Sequence, residues 1–146
     1  MVEVERKQIL VVEDESKISG LMKLSLEAAG YEVRTEALGT EALDYAATKR
    51  PDLVILDIRL PDLLGYEVSE RLRKLYDRTV VPILMVTAMD RPIDRLRGFA
   101  HGADAYMCKP FQLDELTETV ATLLERGEPG QPAGEVEPFD ESGPLI

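Results

Sequence analysis

Short apolar runs alternate with amphipathic stretches five times before residue 127, and this alternation constrains the fold more than any other feature of the chain. The apolar runs have the length and β-branched content of strands, and they comprise Gln8–Val12, Tyr31–Thr35, Leu53–Leu56, Val80–Val86 and Ala105–Cys108. Strands that alternate with helices through short joints pair in parallel, with helices covering both faces of the sheet. The sequence therefore predicts an α/β fold built on a five-stranded parallel sheet.

Apolar residues at helical spacing indicate which side of each helix faces the sheet. In chain order, the five sets are Ile18, Leu21, Met22, Leu26 and Ala29; Leu38, Leu43, Ala46 and Ala47; Val68, Leu72, Leu75 and Tyr76; Ile93, Leu96 and Ala100; and Leu113, Leu116, Val120, Leu123 and Leu124. Gly30 and Gly102 are placed to end the first and fourth helices. Pro82 is compatible with the fourth strand only near its start or at a sheet edge.

A change in composition separates a domain from a tail. Residues 127–146 hold five acidic residues and no basic one, together with eight glycines and prolines. This composition is typical of a linker or tail, because it offers too little apolar surface to offset the entropy of folding. We expect one domain over residues 1–126, followed by an acidic Pro/Gly-rich tail or a truncated linker over residues 127–146.

Charge and apolar content argue against several classes of protein. The net charge of −11 repels phosphate backbones, so we expect no direct binding of nucleic acid by this chain. No apolar run approaches the ~18 residues that a membrane helix requires, and Met1–Lys7 lacks the apolar core of a signal peptide. The single cysteine, Cys108, cannot form an internal disulfide, in keeping with a reducing compartment. These features predict a cytoplasmic protein without membrane association.

The residues that follow the predicted strands are chemically reactive types. Glu13 and Asp14 follow the first strand, Asp57 follows the third, Thr87 follows the fourth and Lys109 follows the fifth. Ligand sites of open parallel sheets lie at the carboxyl ends of the strands. We therefore expect these five side chains to meet at one edge of the sheet.

The acidic residues among them are candidates for a metal site. Asp14 and Asp57 would lie a few ångströms apart on adjacent strands, with Glu13 close by. Like charges ~4 Å apart repel by roughly 1–4 kcal/mol in a medium between water and a protein surface, so such a cluster raises a pKa or binds a cation. Oxygen ligands with room for water suit magnesium, Mg2+. The alternative is that Glu13–Ser16 only caps the first helix, and the two roles are compatible.

Asp57 ends an apolar run, where a carboxylate needs a partner or a function. Carboxylates act as nucleophiles in phosphoryl transfer, although a structural turn aspartate is the alternative. Lys109 would neutralise phosphoryl charge and Thr87 would donate a hydrogen bond to a phosphoryl oxygen, but each is singly a common residue at a strand end. An X–Pro bond is cis in only ~5% of folded cases, so Lys109–Pro110 alone is weak evidence for a cis bond.

Five separated motifs occur in an order and at spacings that point to one family. They are Ile9–Glu15, Leu56–Pro61, Gly65, Val86–Ala88 and Gly102–Phe111. Together they resemble the receiver domain of bacterial two-component response regulators over roughly residues 7–126. The resemblance implies the flavodoxin-like strand order 2-1-3-4-5, with helices on both faces of the sheet.

The resemblance also implies a phosphoacceptor and the ligands of a metal ion. Asp57 would be the phosphoacceptor. Asp14, Asp57 and the backbone carbonyl of Arg59 would coordinate Mg2+ directly, and Glu13 would act through a water molecule. The acidic pair here is Glu-Asp instead of the commoner Asp-Asp, which lengthens one arm without removing a charge.

A conformational switch is implied as well. Thr87 and Lys109 would contact the phosphoryl oxygens, and the Tyr106 ring would turn inward when Thr87 is drawn to the phosphate. Members of the family commonly have a cis bond before the position of Pro110, so the resemblance favours a cis Lys109–Pro110 bond. The implied protein is a signalling switch that assists its own aspartyl phosphorylation and dephosphorylation, not an enzyme with a separate substrate.

The implied partner is a sensor histidine kinase or a histidine-containing phosphotransfer protein. The implied response is a change in the surface formed by the fourth helix, the fifth strand and the fifth helix. Arg91, Arg95 and Arg97 on the fourth helix, together with acidic residues on the fifth, would suit a homodimer through this surface. Thr119 stands where the dimer-forming subfamily has an arginine, which breaks the usual pattern.

Three alternative functions compete with this interpretation. A phosphatase of the haloacid-dehalogenase type also uses an aspartyl nucleophile and Mg2+, but it needs a second acid where this chain has Arg59. A flavin-binding protein of the same fold needs a first loop that cradles phosphate, which Glu13–Glu15 would repel. A constitutive scaffold is disfavoured because every group needed for phosphorylation is present. No DNA-binding helix pair follows Arg126 in the sequence, so we expect a stand-alone receiver or a fragment cut within a linker.

Overall fold

The structure, a computed structural model, describes residues 5–126 and alternates five strands with five helices. The strands are β1 (Gln8–Val12), β2 (Glu32–Glu36), β3 (Leu53–Leu56), β4 (Ile83–Thr87) and β5 (Ala105–Cys108), and the helices are α1 (Ser16–Ala28), α2 (Gly39–Thr48), α3 (Gly65–Leu75), α4 (Pro92–Ala100) and α5 (Leu113–Arg126). Neighbouring strands pair in parallel in the order β2-β1-β3-β4-β5. The predicted α/β fold and its strand order are confirmed.

Buried side chains form two apolar layers, one on each face of the sheet. Successive side chains of a strand point to opposite faces, so Leu10 and Val12 of β1 join a layer with residues of α2 and α3. Ile9 and Val11 join the other layer, with residues of α1 and α5. Every residue of β3 is buried, as expected of a central strand covered on both sides. The two layers hold the sheet whose carboxyl edge carries the predicted site.

The fourth strand begins at Ile83, later than the sequence predicted from the apolar residue Val80. Pro82 has no backbone N–H to contribute to a strand ladder. The N–H groups of Val80 and Val81 both donate to the carbonyl oxygen of Asp77 at 3.0 Å. These two apolar residues therefore belong to the turn before β4 and not to the strand.

Several apolar residues predicted to face the sheet are exposed instead. Leu21 is 53% exposed, Ile93 45% and Leu96 42%. The buried residues of α4 are Asp94 and Gly98, which lie on a different side of that helix. The hydrophobic pattern therefore predicted the wrong face of α4, because a carboxylate and a glycine do not contribute to an apolar stripe. The other members of the predicted sets that are exposed are Ala29, Ala47, Leu75, Ala100 and Leu113.

The last helix is described as far as Arg126, where the described residues also end, so the expected end of the domain near this residue stays a prediction. The predicted tail over residues 127–146 lies outside the described residues, so its assignment stays a prediction. Among residues 5–126, no helix has both the length and the apolar character needed to cross a membrane.

Candidate functional site

Strand pairing brings the predicted site residues to one edge of the sheet. Val12 at the end of β1 pairs with Leu56 at the end of β3, so the residues that follow them, Glu13 and Asp57, are neighbours. The N–H of Asp57 donates to the Val12 carbonyl at 3.0 Å, which extends this pairing by one residue.

The same edge continues across the last two strands. Thr87 ends β4 and pairs with Cys108, the last residue of β5. The N–H of Lys109 donates to the Thr87 carbonyl at 2.8 Å. Lys109 therefore leaves β5 at the level where Asp57 leaves β3, and its side chain reaches across the carboxyl end of β4 to that aspartate.

Three carboxylates gather at this edge. One oxygen from each of Glu13, Asp14 and Asp57 lies within 4.8 Å of the other two. Glu13 and Asp57 are buried, at 3% and 6% exposure, whereas Asp14 is exposed. Two buried anions flanked by an open one form a site with a solvent side, and hard oxygen donors of this kind are the ligands that Mg2+ prefers.

Lys109 lies between the two buried carboxylates. Its Nζ donates to Asp57 Oδ2 at 2.8 Å and lies 2.7 Å from Glu13 Oε1. The second contact is an ion pair, and a carboxylate oxygen with two lone pairs keeps acceptor capacity for a further ligand beside it. With three carboxylates ionised against one ammonium group, the cluster retains a negative charge that attracts a divalent cation. The donor set therefore fits a magnesium ion.

Burial and charge oppose each other in the pKa values of this cluster. Burial raises the pKa of Glu13, and the contacts with Lys109 and with the Glu15 N–H offset this only in part. Burial by itself lowers the pKa of Lys109, but the contacts with Asp57 and Glu13 outweigh it and raise that pKa. Lys109 is therefore held as a cation, which is the form that can pair with a phosphoryl oxygen.

The loop after β3 is shaped by a close approach of two backbone segments. Gly65, at the start of α3, donates its N–H to the Ile58 carbonyl at 2.7 Å. A Cβ atom at this position would collide with the Asp57 backbone carbonyl, so the loop closes this tightly only around glycine. Within the loop, the Arg59 N–H donates to Asp57 Oδ1 at 3.3 Å, and Arg59 forms a bridge with Leu64. The role of the Arg59 carbonyl as a metal ligand stays a prediction.

Thr87 and Tyr106 are joined through the backbone of Met89. Thr87 is 1% exposed, and its Oγ1 accepts a hydrogen bond from the Met89 N–H at 3.4 Å. The Tyr106 hydroxyl donates to the Met89 carbonyl at 2.6 Å. Tyr106 is 8% exposed, so its ring lies inward while Thr87 is bonded to Met89, and the coupled movement of the two residues stays a prediction. The peptide bond between Lys109 and Pro110 is cis, the isomer that the sequence resemblance favours.

Comparison with known proteins agrees with this geometry. The family model described as the response regulator receiver domain matches residues 9–121. The chain belongs to this family. It is 42% identical over 140 residues to an alkaline phosphatase synthesis transcriptional regulatory protein, PhoP, of Bacillus subtilis, which covers 96% of the chain and 58% of that relative. It is 43% identical over 122 residues to the phosphate regulon transcriptional regulatory protein PhoB of Rhizobium meliloti, which covers 84% of the chain and 54% of that relative.

Solved structures of similar proteins have the same fold. A CheY-like receiver domain protein of Methanospirillum hungatei superposes with a TM-score of 0.80 at 32% identity, covering 84% of the chain and 97% of the other protein. A chemotaxis protein of Vibrio cholerae, CheY4, superposes with a TM-score of 0.77 at 34% identity, covering 82% of the chain and 99% of the other. The chain spans about half the length of the curated relatives that it matches.

Sequence reasoning missed some residues that shape this receiver domain. Asp62 in the loop after β3 accepts hydrogen bonds from the backbone N–H groups of Gly39 and Thr40 at 2.8 and 2.9 Å, so it caps the start of α2. No local pattern could reveal this, because the partners are more than 20 residues apart in sequence. The buried pair of Arg73 and Asp104 was missed as well. An arginine and an aspartate in polar stretches gave no signal that they meet.

Proposed function

We propose that this receiver domain is the phosphoacceptor switch of a two-component or phosphorelay system and that Asp57 carries the phosphoryl group. The observation that carries the proposal is the contact of Asp57 Oδ2 with Lys109 Nζ at 2.8 Å, in a cluster of three carboxylates. A nucleophilic carboxylate, a cation for phosphoryl charge and oxygen ligands for a metal are the parts that phosphoryl transfer to an aspartate needs.

The chain's own residues would prepare Asp57 for transfer in a simple way. Lys109 and the Arg59 N–H hold one carboxylate oxygen each, which fixes the plane of the carboxylate. One carboxylate oxygen forms a bond to phosphorus while the bond from phosphorus to the donor breaks and its electron pair leaves with the donor. A phosphohistidine donor leaves as imidazole, which takes up a proton. Lys109 and the hydroxyl of Thr87 then contact phosphoryl oxygens.

A magnesium ion held by Asp14, Asp57, the Arg59 carbonyl and, through water, Glu13 would supply the remaining charge neutralisation when bound. Support for this assignment comes from the three carboxylates, since one oxygen from each lies within 4.8 Å of the other two.

The response to phosphorylation would pass from Thr87 to the surface formed by α4, β5 and α5. Movement of the Thr87 hydroxyl towards a phosphoryl oxygen changes its contact with the Met89 N–H, and the Met89 carbonyl holds the Tyr106 hydroxyl. Two positions of this segment then present different surfaces, whose populations phosphorylation shifts.

The partners of the domain follow from the same proposal. The donor would be a sensor histidine kinase or a histidine-containing phosphotransfer protein in the cytoplasm. The output would be a protein–protein contact through the α4-β5-α5 surface, including a homodimer. The printed names of the relatives describe transcriptional regulators, and any DNA binding would belong to a further domain of such proteins and not to residues 5–126.

The test of the proposal is phosphoryl labelling by a small phosphodonor such as phosphoramidate or acetyl phosphate. Intact-mass spectrometry should show one added phosphoryl group per chain in Mg2+ and little or none in EDTA. Asp57→Asn should abolish the labelling. Asp44→Asn, which changes an exposed aspartate of α2, should label like the wild type. Full labelling of Asp57→Asn would overturn the proposal.

The phosphatase alternative is tested with p-nitrophenyl phosphate. A receiver domain holds its phosphoryl group on Asp57 and turns over such esters slowly, if at all. Sustained turnover at ordinary enzymatic rates, about 1 s⁻¹ or faster, that disappears in Asp57→Asn would favour a phosphatase instead.

A further inference from the structure

Helix α4 has two buried residues, and neither of them is a large apolar one. Its buried residues are Asp94 and Gly98, while its large aliphatic residues Ile93 and Leu96 are 45% and 42% exposed. The carboxylate of Asp94 is held by Arg91, the residue just before α4, through its backbone N–H and its guanidinium. Gly98 is therefore the buried residue of α4 that faces side chains of the neighbouring strands β4 and β5.

The space beside Gly98 is filled by the Tyr106 ring. A Cβ atom at Gly98 would lie 2.9 Å from Tyr106 Cδ2 and 3.0 Å from Tyr106 Cε2, and 3.0 Å from Met85 Sδ. The 2.9 Å distance is shorter than real Cβ contacts, and the two distances of 3.0 Å are tighter than most of them; the atoms come from an aromatic ring and a buried methionine. The ring thus occupies the volume that any side chain at this position of α4 would need.

Backbone conformation does not explain the glycine. The glycines with positive φ among the described residues are Gly30 and Gly102, so Gly98 has no left-handed backbone to accommodate. Glycine inside a helix is destabilising relative to alanine, since it loses more backbone entropy on folding. The structural benefit of glycine here is the missing side chain.

We propose that Gly98 is a positioning residue for Tyr106, and that the size of the side chain at position 98 sets the balance between the inward and outward positions of the ring. The inward ring is held by its hydrogen bond to the Met89 carbonyl at 2.6 Å, with the Arg95 guanidinium 5.4 Å from the ring centroid. A side chain at position 98 requires the ring, the Met85 side chain or α4 to move, and a movement of the ring changes the geometry of its hydrogen bond to Met89.

The consequence for signalling rests on the switch role proposed above for Thr87 and Tyr106. Because the inward ring is linked through Met89 to the Thr87 hydroxyl, a larger residue at position 98 should uncouple that hydroxyl from the α4 surface. Gly98 lies outside the phosphorylation site, so labelling of Asp57 should persist in its variants.

The packing is tested by a double-mutant cycle of Gly98→Ala and Tyr106→Ala, read as the urea midpoint of unfolding. The control is Gly20→Ala in α1, where a Cβ atom meets nothing within 4 Å, and its midpoint should rise. Gly98→Ala should leave the midpoint unchanged or lower it in the wild type, and should raise it when Tyr106 is already alanine. An equal shift of the midpoint in both backgrounds would overturn the proposal.

The ring position is tested by fluorine NMR on protein containing 3-fluorotyrosine, with the Tyr106 resonance assigned through Tyr106→Phe. In the wild type, this resonance should differ in shift and linewidth from that of an exposed tyrosine. Gly98→Ala and then Gly98→Leu should move it progressively towards the exposed shift. These spectra need no phosphodonor, so they can be read even if Asp57 fails to label. A Tyr106 resonance that stays unchanged in both variants contradicts the proposed role of Gly98.

Discussion

At the scale of single residues, the charge balance of the site depends on the Lys109 ammonium group, which contacts two carboxylates. Lys109 Nζ lies within 2.8 Å of both Asp57 Oδ2 and Glu13 Oε1, so it offsets negative charge where a cation would bind. The same ammonium group is proposed to pair with the phosphoryl group. Metal binding and phosphoryl transfer should therefore respond to its removal in opposite directions.

Lys109→Ala should bind Mg2+ more tightly and accept phosphate more slowly than the wild type. One unit charge at ~4 Å contributes roughly 1–4 kcal/mol, so removing it should tighten Mg2+ binding by about tenfold or more. Loss of one charge-stabilising donor should slow phosphorylation by about 10²-fold. Isothermal titration with Mg2+ and the rate of mass labelling measure the two effects.

The control for these opposite effects on Mg2+ affinity and phosphorylation rate is Lys23→Ala. It removes the same charge from an exposed position on α1, where solvent and salt screen it. Both quantities should stay close to those of the wild type. Weaker Mg2+ binding in Lys109→Ala would contradict the charge argument.

The reactive residues of the site could be predicted from the sequence, because one rule of sheet topology places them together. Asp57 and Lys109 follow buried strands, and the carboxyl ends of parallel strands meet at one edge. The part played by Met89 could not be predicted, because it acts through its backbone N–H and carbonyl. Backbone contacts of this kind depend on the conformation of a loop, and the types of side chain in the sequence do not predict that conformation.

At the scale of elements, the loop after β3 and helix α2 are joined by a charged cap. Asp62 accepts hydrogen bonds from the Thr40 N–H and hydroxyl and from the Gly39 N–H. These bonds favour the ionised carboxylate and lower the pKa of Asp62 to about 2. A carboxylate at a helix start also interacts favourably with the helix dipole.

The stability that Asp62 contributes should therefore depend on pH. Its folded-state pKa lies below the ordinary value of 3.8, so the contribution is complete above that value and is lost as the pH falls towards about 2. Asp62→Ala should lower the urea midpoint at pH 7, and the difference from wild type should shrink as the pH approaches 3. A difference in urea midpoint that stays constant over this pH range would show that the ionised carboxylate of Asp62 does not stabilise the start of α2.

A second link between elements is the buried ion pair of α3 with the start of β5. Arg73 donates to Asp104 Oδ2 and to the Val81 carbonyl at 2.6 Å each, and to the Gly102 carbonyl at 2.9 Å. Asp104 also accepts the Ile83 N–H at 2.8 Å. One guanidinium thus connects α3 to the segments before β4 and β5.

Arg73→Met should destabilise the domain strongly, because it leaves the buried Asp104 with a longer ion pair to the exposed Arg78, at 3.9 Å, in place of its close one. Loss of one partner of a buried pair costs about 3–5 kcal/mol, measured as the free energy of unfolding in urea. Arg71→Met removes an exposed pair with Glu67 on the same helix and should cost less than about 1 kcal/mol. Equal losses in the two variants would show that Arg73 does not have this role.

Element boundaries could be predicted where the sequence signal is local and apolar. The bounds of β3 and β5 match the apolar runs Leu53–Leu56 and Ala105–Cys108. The face of α4 could not be predicted, since its buried side consists of Asp94 and Gly98. Gly98 is needed because the Tyr106 ring fills the space beside it. The sequence pattern of α4 cannot predict this contact, because Tyr106 lies on β5.

At the scale of the whole molecule, the proposed metal site should couple ion binding to global stability. A ligand that binds only the folded state stabilises it by about 2.7 kcal/mol at a concentration of 100 times its Kd. Mg2+ should therefore raise the melting temperature relative to EDTA at equal ionic strength. Asp14→Ala should remove most of this increase, although Asp14 is an exposed residue with little effect on the fold.

The strongly acidic chain requires a control for non-specific binding, since its net charge is −11. Glu118→Ala removes an exposed carboxylate of α5 and should keep the full increase in melting temperature with Mg2+. An increase of the same size in Asp14→Ala and Glu118→Ala would mean that Mg2+ acts on the acidic surface as a whole.

The central claim is that the phosphoryl group resides on Asp57, and reductive trapping measures this directly. Borohydride converts an aspartyl phosphate to homoserine, which peptide mass spectrometry then locates. After incubation with phosphoramidate and Mg2+, homoserine should be found at position 57 and at no other aspartate. Homoserine at position 14, or phosphorylated protein with no homoserine at position 57, would contradict the account.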